Sequence, residues 1–165
     1  MRSIPALISA ASLAVVVVSV ACSTSATENA STTHPASSST PASASASPDG
    51  LTPFQLEHGI GPITEPVQVD GVDKAMAQAG HELFEHKCSA CHKMADRYVG
   101  PALGEVTRRR SPAFVMNMVL NPQGMVTKHP VSKKLLGEYF TPMPNLNLSK
   151  TEARELLEYL RTQAH

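Results

Sequence analysis

The feature that most constrains this 165-residue chain is the run Cys88-Ser89-Ala90-Cys91-His92, which contains two of its three cysteines. Two thiols at this spacing can each form a thioether to one vinyl side of a porphyrin, and the imidazole that follows can then bind the iron. The run therefore predicts covalent attachment of one haem c through Cys88 and Cys91, with His92 as the proximal axial ligand.

Three other interpretations of the cysteine pair stay open on sequence alone. The thiols can close a small disulfide or form a thioredoxin-like redox pair, although no βαβ pattern surrounds them. They can be half of a zinc site, although no second cysteine pair follows and a structural zinc site uses four ligands. The spacing can also arise by chance. A haem-free thiol oxidoreductase is distinguished by a colourless preparation.

The first 50 residues predict export and a tether. Residues 1–21 place Arg2 before an uncharged apolar run that is short for a membrane span of roughly 20 residues, which favours a signal peptide over a retained anchor. Around Cys22 the sequence resembles the bacterial lipobox, so we expect a lipid on Cys22; cleavage after Ala21 without lipidation is the alternative. Residues 22–50 form a Ser/Ala/Pro-rich linker that we expect to be disordered. Together these features predict a lipoprotein on the periplasmic or cell-surface side of a membrane.

The remaining residues, 51–165, predict a small all-α domain. Apolar residues recur at three-and-four spacing after four helix start signals, which are Asp73, Ser111-Pro112, Pro130 and Ser149. Asn121-Pro122 is expected to end the second of these helices. No run of alternating β-branched residues is long enough to predict a sheet. The chain has no Trp and only 4% aromatic residues, so its core is thin and a bound group can supply the missing apolar surface.

A haem iron has two axial positions, so a second ligand is needed unless the position opposite His92 is open. The candidates after the motif are Met94, Met116, Met118, Met125, His129 and Met143. Met143 is favoured because Pro142 and Pro144 fix an extended segment that can lay a thioether across a flat ring. We therefore expect Met143 to be the distal ligand.

The other candidates are less suitable for different reasons. Met94 is too close to the motif to reach the opposite face of the ring. Met116 and Met118 fall within a predicted helix, where a methionine usually fills the core. His129 precedes a proline in a polar segment, and we expect it to be exposed.

With these residues the chain resembles the class I monohaem cytochromes c over roughly residues 73–163. The shared positions are Gly80, Phe84, Gly100-Pro101-Ala102-Leu103, Met143, Leu156 and Tyr159. The resemblance implies the class I cytochrome c fold, with about four helices around one covalently bound haem in a domain of residues 73–165. It also implies that the Pro101 carbonyl accepts a hydrogen bond from His92, and that Gly80 lets the terminal helices cross closely near Tyr159.

Four further segments resemble a narrower group of lipoprotein cytochromes, associated with respiratory chains that end in haem-copper oxidases or nitrous oxide reductase. They are residues 54–63, 109–112, 116–118 and 134–136. This resemblance implies an electron carrier rather than an enzyme, with a donor of the quinol–cytochrome c reductase type and no nucleic-acid partner. Residues 51–72 are extra relative to short family members, and we expect this N-terminal extension to pack along the domain.

An iron bound by His and Met has no open position for a substrate, so the predicted function is outer-sphere transfer of single electrons. Thioether ligation and burial both favour ferrous iron, which predicts a positive midpoint potential.

The ring is expected to contact six apolar side chains, those of Phe84, Val99, Leu103, Met118, Leu146 and Leu160. The charged residues near the motif have two interpretations. Lys87, Lys93 and Arg97 can form a basic rim that meets an acidic partner, or they can belong to an ordinary solvated surface with no binding role. A different class of function, a haem enzyme or gas sensor, requires Met143 to be absent or labile.

Overall fold

The computed structural model describes residues 50–164 of the chain. These residues form seven helices and no strand. Their bounds are α1 Pro53–His58, α2 Lys74–Lys87, α3 Val106–Arg109, α4 Pro112–Leu120, α5 Pro122–Lys128, α6 Pro130–Tyr139 and α7 Lys150–Gln163. The prediction of an all-α domain is confirmed, and the four predicted helices are α2, α4, α6 and α7. The predicted number of about four was too low, because it missed the short helices α1, α3 and α5.

The predicted signal peptide (residues 1–21), the lipid site at Cys22 and the linker up to residue 49 lie outside the described residues. Within residues 50–164, no helix has both the length and the apolar character needed to cross a bilayer.

Polar side chains fix the starts of the two long helices. The Asp73 carboxylate accepts hydrogen bonds from the backbone N–H groups of Ala75 and Met76, at 2.9 and 3.0 Å, and so begins α2. At the start of α7 the Ser149 hydroxyl accepts from the Glu152 N–H, and the Glu152 carboxylate accepts from the Ser149 N–H. This reciprocal pair is a capping box, which satisfies two N–H groups that a helix end leaves without partners.

Asn121-Pro122 ends α4 as predicted, but it also starts α5. The Asn121 side chain accepts a hydrogen bond from the Gly124 N–H at 3.2 Å, and Pro122 occupies the first helical position, where no N–H donor is needed. The chain therefore passes directly from α4 into α5 here, whereas the sequence predicted only the end of a helix.

Helices α2 and α7 cross at Gly80. A Cβ atom at this position would overlap the backbone carbonyl of Glu155, so only glycine permits so close an approach. Next to the crossing, the ring centroids of Phe84 and Tyr159 lie 5.4 Å apart. The expected close approach of the terminal helices near Tyr159 is thus confirmed. This crossing fixes the position of the C-terminal end of α2, and so of the motif that follows it.

The core lies where α2, α4 and α7 meet. Its buried residues are Phe84, Cys88, Val115, Met116, Val119, Leu148, Ala153, Leu156, Leu157 and Leu160.

One end of the N-terminal extension (residues 51–72) is held by two asparagines of the adjacent helices. The fully buried Asn117 amide donates to the carbonyls of His58 and Ile63, at 3.0 and 2.9 Å, and its Oδ1 accepts from the Ile63 N–H. The Asn121 amide donates to the Ile60 carbonyl at 3.0 Å. These bonds give partners to backbone groups that can no longer bond to water because they pack against the domain.

The other end of the extension is held by a buried ionic cluster on α7. The Glu158 side chain has no exposure; it lies 2.9 Å from Arg154 and 2.6 Å from Arg161, and it accepts from the Asp73 N–H at 3.2 Å. Both arginines also donate to backbone carbonyls of the extension, those of Gln68 and Asp70. The extension therefore packs on the same helices that form the core.

The expectation that His129 is exposed was wrong, because the extension covers it. His129 has no exposed surface, and its Nε2–H donates to the Leu56 carbonyl, 73 residues earlier in the chain, at 3.2 Å. Its Nδ1 accepts from the Val131 N–H, which makes the ring a neutral cap for α6. Burial lowers the pKa of His129 from its ordinary value.

Candidate haem site

An apolar cavity of about 250 Å³ opens in the domain and is lined by residues from α2 to α7 and from the segments 99–103 and 141–146. All of the residues predicted to hold the cofactor lie on its wall, namely Cys88, Cys91, His92, Pro101 and Met143. Residues that are 55 positions apart in sequence therefore meet at one site.

The end of α2 shapes the motif. Cys88 caps the helix, and its N–H donates to the Phe84 carbonyl at 2.8 Å. The N–H groups of Cys91 and His92 then both donate to the Cys88 carbonyl, at 3.0 and 2.9 Å. This tight turn places the two thiols and the imidazole on the wall of the same cavity.

The ring of His92 is held in one orientation and one tautomer. Its Nδ1 lies 2.9 Å from the carbonyl oxygen of Pro101, which can only accept, so Nδ1 carries the proton. The lone pair of Nε2 is then available for a metal. The expected hydrogen bond between His92 and Pro101 is present.

Gly100 packs directly against the ring of His92. A Cβ atom added at Gly100 would overlap Cε1 of His92 and lie 2.8 Å from its Nδ1. The Gly100 N–H donates to the Cys91 carbonyl at 2.8 Å, which ties the segment back to the motif. The imidazole is therefore packed against backbone that leaves no room for a side chain.

Of the candidate distal ligands, only Met118 and Met143 line the cavity within the described chain. Met116 is buried in the core, and Met125 is fully buried, where its sulfur accepts from the Ile60 N–H at 3.0 Å. Met118 lies on the cavity wall, where its expected contact with the ring requires it to be. Its sulfur lies 3.7 Å from the buried hydroxyl of Ser132.

Four of the other expected ring contacts also lie on the cavity wall: Val99, Leu103, Leu146 and Leu160. The expectation for Phe84 was wrong, because this side chain faces Tyr159 in the core and does not line the cavity.

The inner face of α6 was not recognised from the sequence as part of the site. Ser132, Leu135, Leu136 and Tyr139 all line the cavity. Their spacing of three, four and seven residues is that of one helix face, and this signal could have identified Ser132. Arg109 and Arg110 also line the cavity and were missed, since a run of arginines usually indicates a solvated surface.

The structure disfavours the haem-free interpretations of the cysteine pair. Both thiols are free of any disulfide. Burial, reinforced by the neighbouring Cys91, raises the pKa of the Cys88 thiol to about 11, whereas a reactive redox thiol needs a lowered pKa. In the part of the chain that is described, no group of three or more His, Cys, Asp or Glu side chains could hold a metal, which leaves no zinc site there.

Comparison with known proteins agrees with this geometry. The family model for cytochrome c matches residues 77–164. The chain belongs to the cytochrome c family, and as a class I monohaem cytochrome c it carries one covalently bound haem c that transfers electrons.

Solved structures and a curated relative cover most of the described domain. The chain is 46% identical to a cytochrome c from Rhodothermus marinus, with a TM-score of 0.64 over 68% of this chain and 97% of that one. An engineered form of that cytochrome, solved with a bound carbene intermediate, gives the same identity and coverage with a TM-score of 0.61. A cytochrome c-553-like protein of Synechocystis sp. is 31% identical over 90 residues, which is 54% of this chain and 70% of that protein.

The residues present fit a haem c. Two free thiols, an imidazole with an available Nε2 and a methionine thioether line one cavity whose wall is otherwise mostly apolar. These are the donor types that attach a c-type haem and bind its iron.

Proposed function

We propose that the protein is a lipid-anchored carrier that passes single electrons within a respiratory chain. The observation that supports this most is the meeting of Cys88, Cys91, His92 and Met143 at one apolar cavity. A site with two axial protein ligands leaves no open position on the iron for a substrate, so it suits electron transfer better than chemistry on a substrate.

Each residue of the site has a distinct part in this proposal. Cys88 and Cys91 would hold the haem through thioethers, and His92 and Met143 would be its axial ligands. Pro101 would fix the imidazole through the hydrogen bond to Nδ1. When bound, the haem supplies an iron that gains or loses one electron while its ligands stay in place. The protein forms and breaks no bond during the transfer.

Met143 is preferred over Met118 as the distal ligand for two reasons. The Met118 sulfur accepts a hydrogen bond from the Ser132 hydroxyl at 3.7 Å, and this bond ties the Met118 side chain to α6. Met143 lies in a segment without helix or strand, between two prolines, and its half-buried side chain lines the cavity. The stiff segment can present a thioether with little loss of entropy.

The surroundings favour the reduced state of such a site. The wall of the cavity is mostly apolar, which disfavours the added positive charge of ferric iron, and the cations of Lys87, Arg109 and Arg110 on the same wall act in the same direction. We therefore expect a positive midpoint potential, as suits a carrier near the end of a respiratory chain.

The proposed location and partners rest on the N-terminal sequence and on the narrower resemblance. Residues 1–21 have the pattern of an export signal, and Cys22 would carry the lipid on the periplasmic or cell-surface side. The donor would be a quinol–cytochrome c reductase-type complex, and the acceptor a haem-copper oxidase or nitrous oxide reductase. A linker of residues 22–50 would let the domain reach both.

The optical spectrum of the matured holoprotein tests the site. We expect a low-spin haem with the far-red iron–sulfur band, and we expect Met143→Ala to lose this band and to bind carbon monoxide when reduced. Met118→Leu is the matched control, because it removes the other thioether on the cavity wall, and it should keep the band. A band that persists in Met143→Ala and is lost in Met118→Leu would contradict the ligand assignment.

A further inference from the structure

Arg97 makes three contacts with the last turn of α6. Its Nη1 lies 3.0 Å from the carboxylate of Glu138, and its Nη2 donates to the backbone carbonyl of Glu138 at 2.8 Å. Its guanidinium also lies 4.2 Å from the ring centroid of Tyr139, within the range of a cation–π contact. A planar guanidinium can make all three contacts at once, whereas the compact ammonium of a lysine cannot. The contacts join residues that are 41 positions apart in the chain.

These contacts connect two walls of the haem cavity. Arg97 belongs to residues 93–104, the segment that follows the haem motif and is bonded back to it. Within this segment the Leu103 N–H donates to the carbonyl of Lys93, the residue next to the motif, at 2.9 Å. On the other side of the contact, Tyr139 lines the cavity together with earlier residues of α6. Arg97 therefore ties the wall formed by α6 to the segment that supports the proximal ligand.

The last turn of α6 has little other support. Among residues 50–164, α5 is the one helix whose backbone packs closely against α6. In the same residues, the hydrogen bonds that reach Glu138 and Tyr139 from outside α6 come from Arg97. Phe140 follows with φ 55°, and its side chain is 85% exposed, so packing of this ring does not hold the end of the helix.

The segment that carries Met143 depends on this helix end. No hydrogen bond within the described part of the chain involves residues 141–144. The far end of the segment is fixed by the buried side chain of Leu148 and by Ser149, which caps α7. Its near end leaves the last turn of α6 directly. Besides the packing of its own side chain, the position of Met143 is therefore set by where that turn is held.

We propose that Arg97 is a positioning residue for the distal ligand, because it ties the last turn of α6 to residues 93–104 and so holds Met143 over the iron. This inference rests on the proposed function, in which Met143 binds the iron. Without Arg97, the position opposite His92 would be open for a larger fraction of the time. The Arg97 side chain is 57% exposed, so each contact is weak alone and the effect depends on all three.

Imidazole binding to the oxidised holoprotein tests the proposal. Imidazole binds the ferric iron only while the Met143 sulfur is off it: the iron–sulfur bond breaks, an iron–nitrogen bond forms, and no electron is transferred. The apparent Kd for imidazole is therefore the intrinsic Kd divided by the open fraction. Arg97→Ala removes all three contacts, and we expect it to bind imidazole about tenfold more tightly than the wild type. The far-red band should remain before imidazole is added, because the closed form still dominates.

Two further variants separate the contacts of Arg97 from a general effect of charge. Arg97→Lys keeps the charge but loses the fork and the stacking, and we expect about threefold tighter binding of imidazole. Arg108→Ala is the matched control. The Nε of Arg108 lies 3.4 Å from the carboxylate of Glu105, and the two side chains are as exposed as those of Arg97 and Glu138, but this pair lies within α3 and its cap. It should change the affinity for imidazole by less than about twofold.

An affinity for imidazole that is unchanged in Arg97→Ala would overturn the proposal. So would equal tightening in Arg97→Ala and Arg108→Ala, because the effect would then come from loss of surface charge. A lower Tm in Arg97→Ala without tighter binding would show a merely structural role and would overturn it as well. Failure of the proposed function is seen separately, as a wild-type holoprotein without the far-red band.

Discussion

Replacing Glu158 with glutamine tests how the terminal helices and the N-terminal extension are held together. The Glu158 carboxylate is fully buried between Arg154 and Arg161, and it also accepts the N–H of Asp73 at the start of α2. The substitution keeps the size of the side chain and removes its charge. Both arginines then lose their anionic partner, although they keep their bonds to the extension.

The expected cost follows from the burial of each partner. Removing one partner of a buried ion pair costs about 3–5 kcal/mol when the remaining charge cannot reach water. Here the side chains of Arg154 and Arg161 are 30% and 16% exposed, so both can regain part of their hydration. We therefore expect the free energy of unfolding to fall by about 2–3 kcal/mol, which corresponds to roughly 6–18 °C in Tm for a domain of this size.

Thermal unfolding of the holoprotein, followed by far-UV circular dichroism, measures the effect. Glu65→Gln is the matched control, because it removes an exposed carboxylate from the same extension, and its effect should stay within about 0.5 kcal/mol. A Tm for Glu158→Gln equal to that of Glu65→Gln would refute the view that this carboxylate holds α2, α7 and the extension together.

Two further substitutions test how His129 and His92 are packed. Burial lowers the pKa of His129 below its ordinary 6.5, so the unfolded chain binds the proton more readily, and stability present above that pH is lost as the pH falls below it. Denaturant titrations from about pH 7.5 to about pH 5.5 should show this loss, and His129→Gln should reduce it; an equal loss in the variant would assign it to other groups. Gly100→Ala would push a methyl group into the ring of His92, and we expect about 1–3 kcal/mol of destabilisation with a shifted midpoint potential. Gly71→Ala, where a Cβ meets open space, should leave both unchanged, and an unaltered Gly100→Ala would contradict the close packing of the imidazole.

The parts of the molecule that were predictable from sequence depend on local chemistry. Cys88, Cys91 and His92 fall within five consecutive residues, so one helix end places them on the same wall. The start of α7 is readable because Ser149 and Glu152 satisfy each other's backbone within one turn. Gly80 was identifiable through the family resemblance, and the overlap of its missing Cβ with α7 shows why the position requires glycine.

The parts that were missed depend on contacts between distant segments. His129 was expected to be exposed because nothing in its own sequence shows that Leu56 will cover it. The helices α1, α3 and α5 have seven residues or fewer, too short for an apolar period to show. Phe84 carries no sequence signal that separates a core position beside Tyr159 from a cavity position. Phe140 ends α6 with a positive φ of 55° and is 85% exposed, and neither property can be read from its sequence.

A potentiometric titration of the matured holoprotein, followed through its haem absorbance, tests most directly whether this site carries single electrons. We expect one reversible wave that fits the transfer of one electron, with a positive midpoint potential and no response of the reduced protein to carbon monoxide. A colourless protein, a two-electron wave from the thiols, or a reduced haem that binds carbon monoxide readily would contradict it.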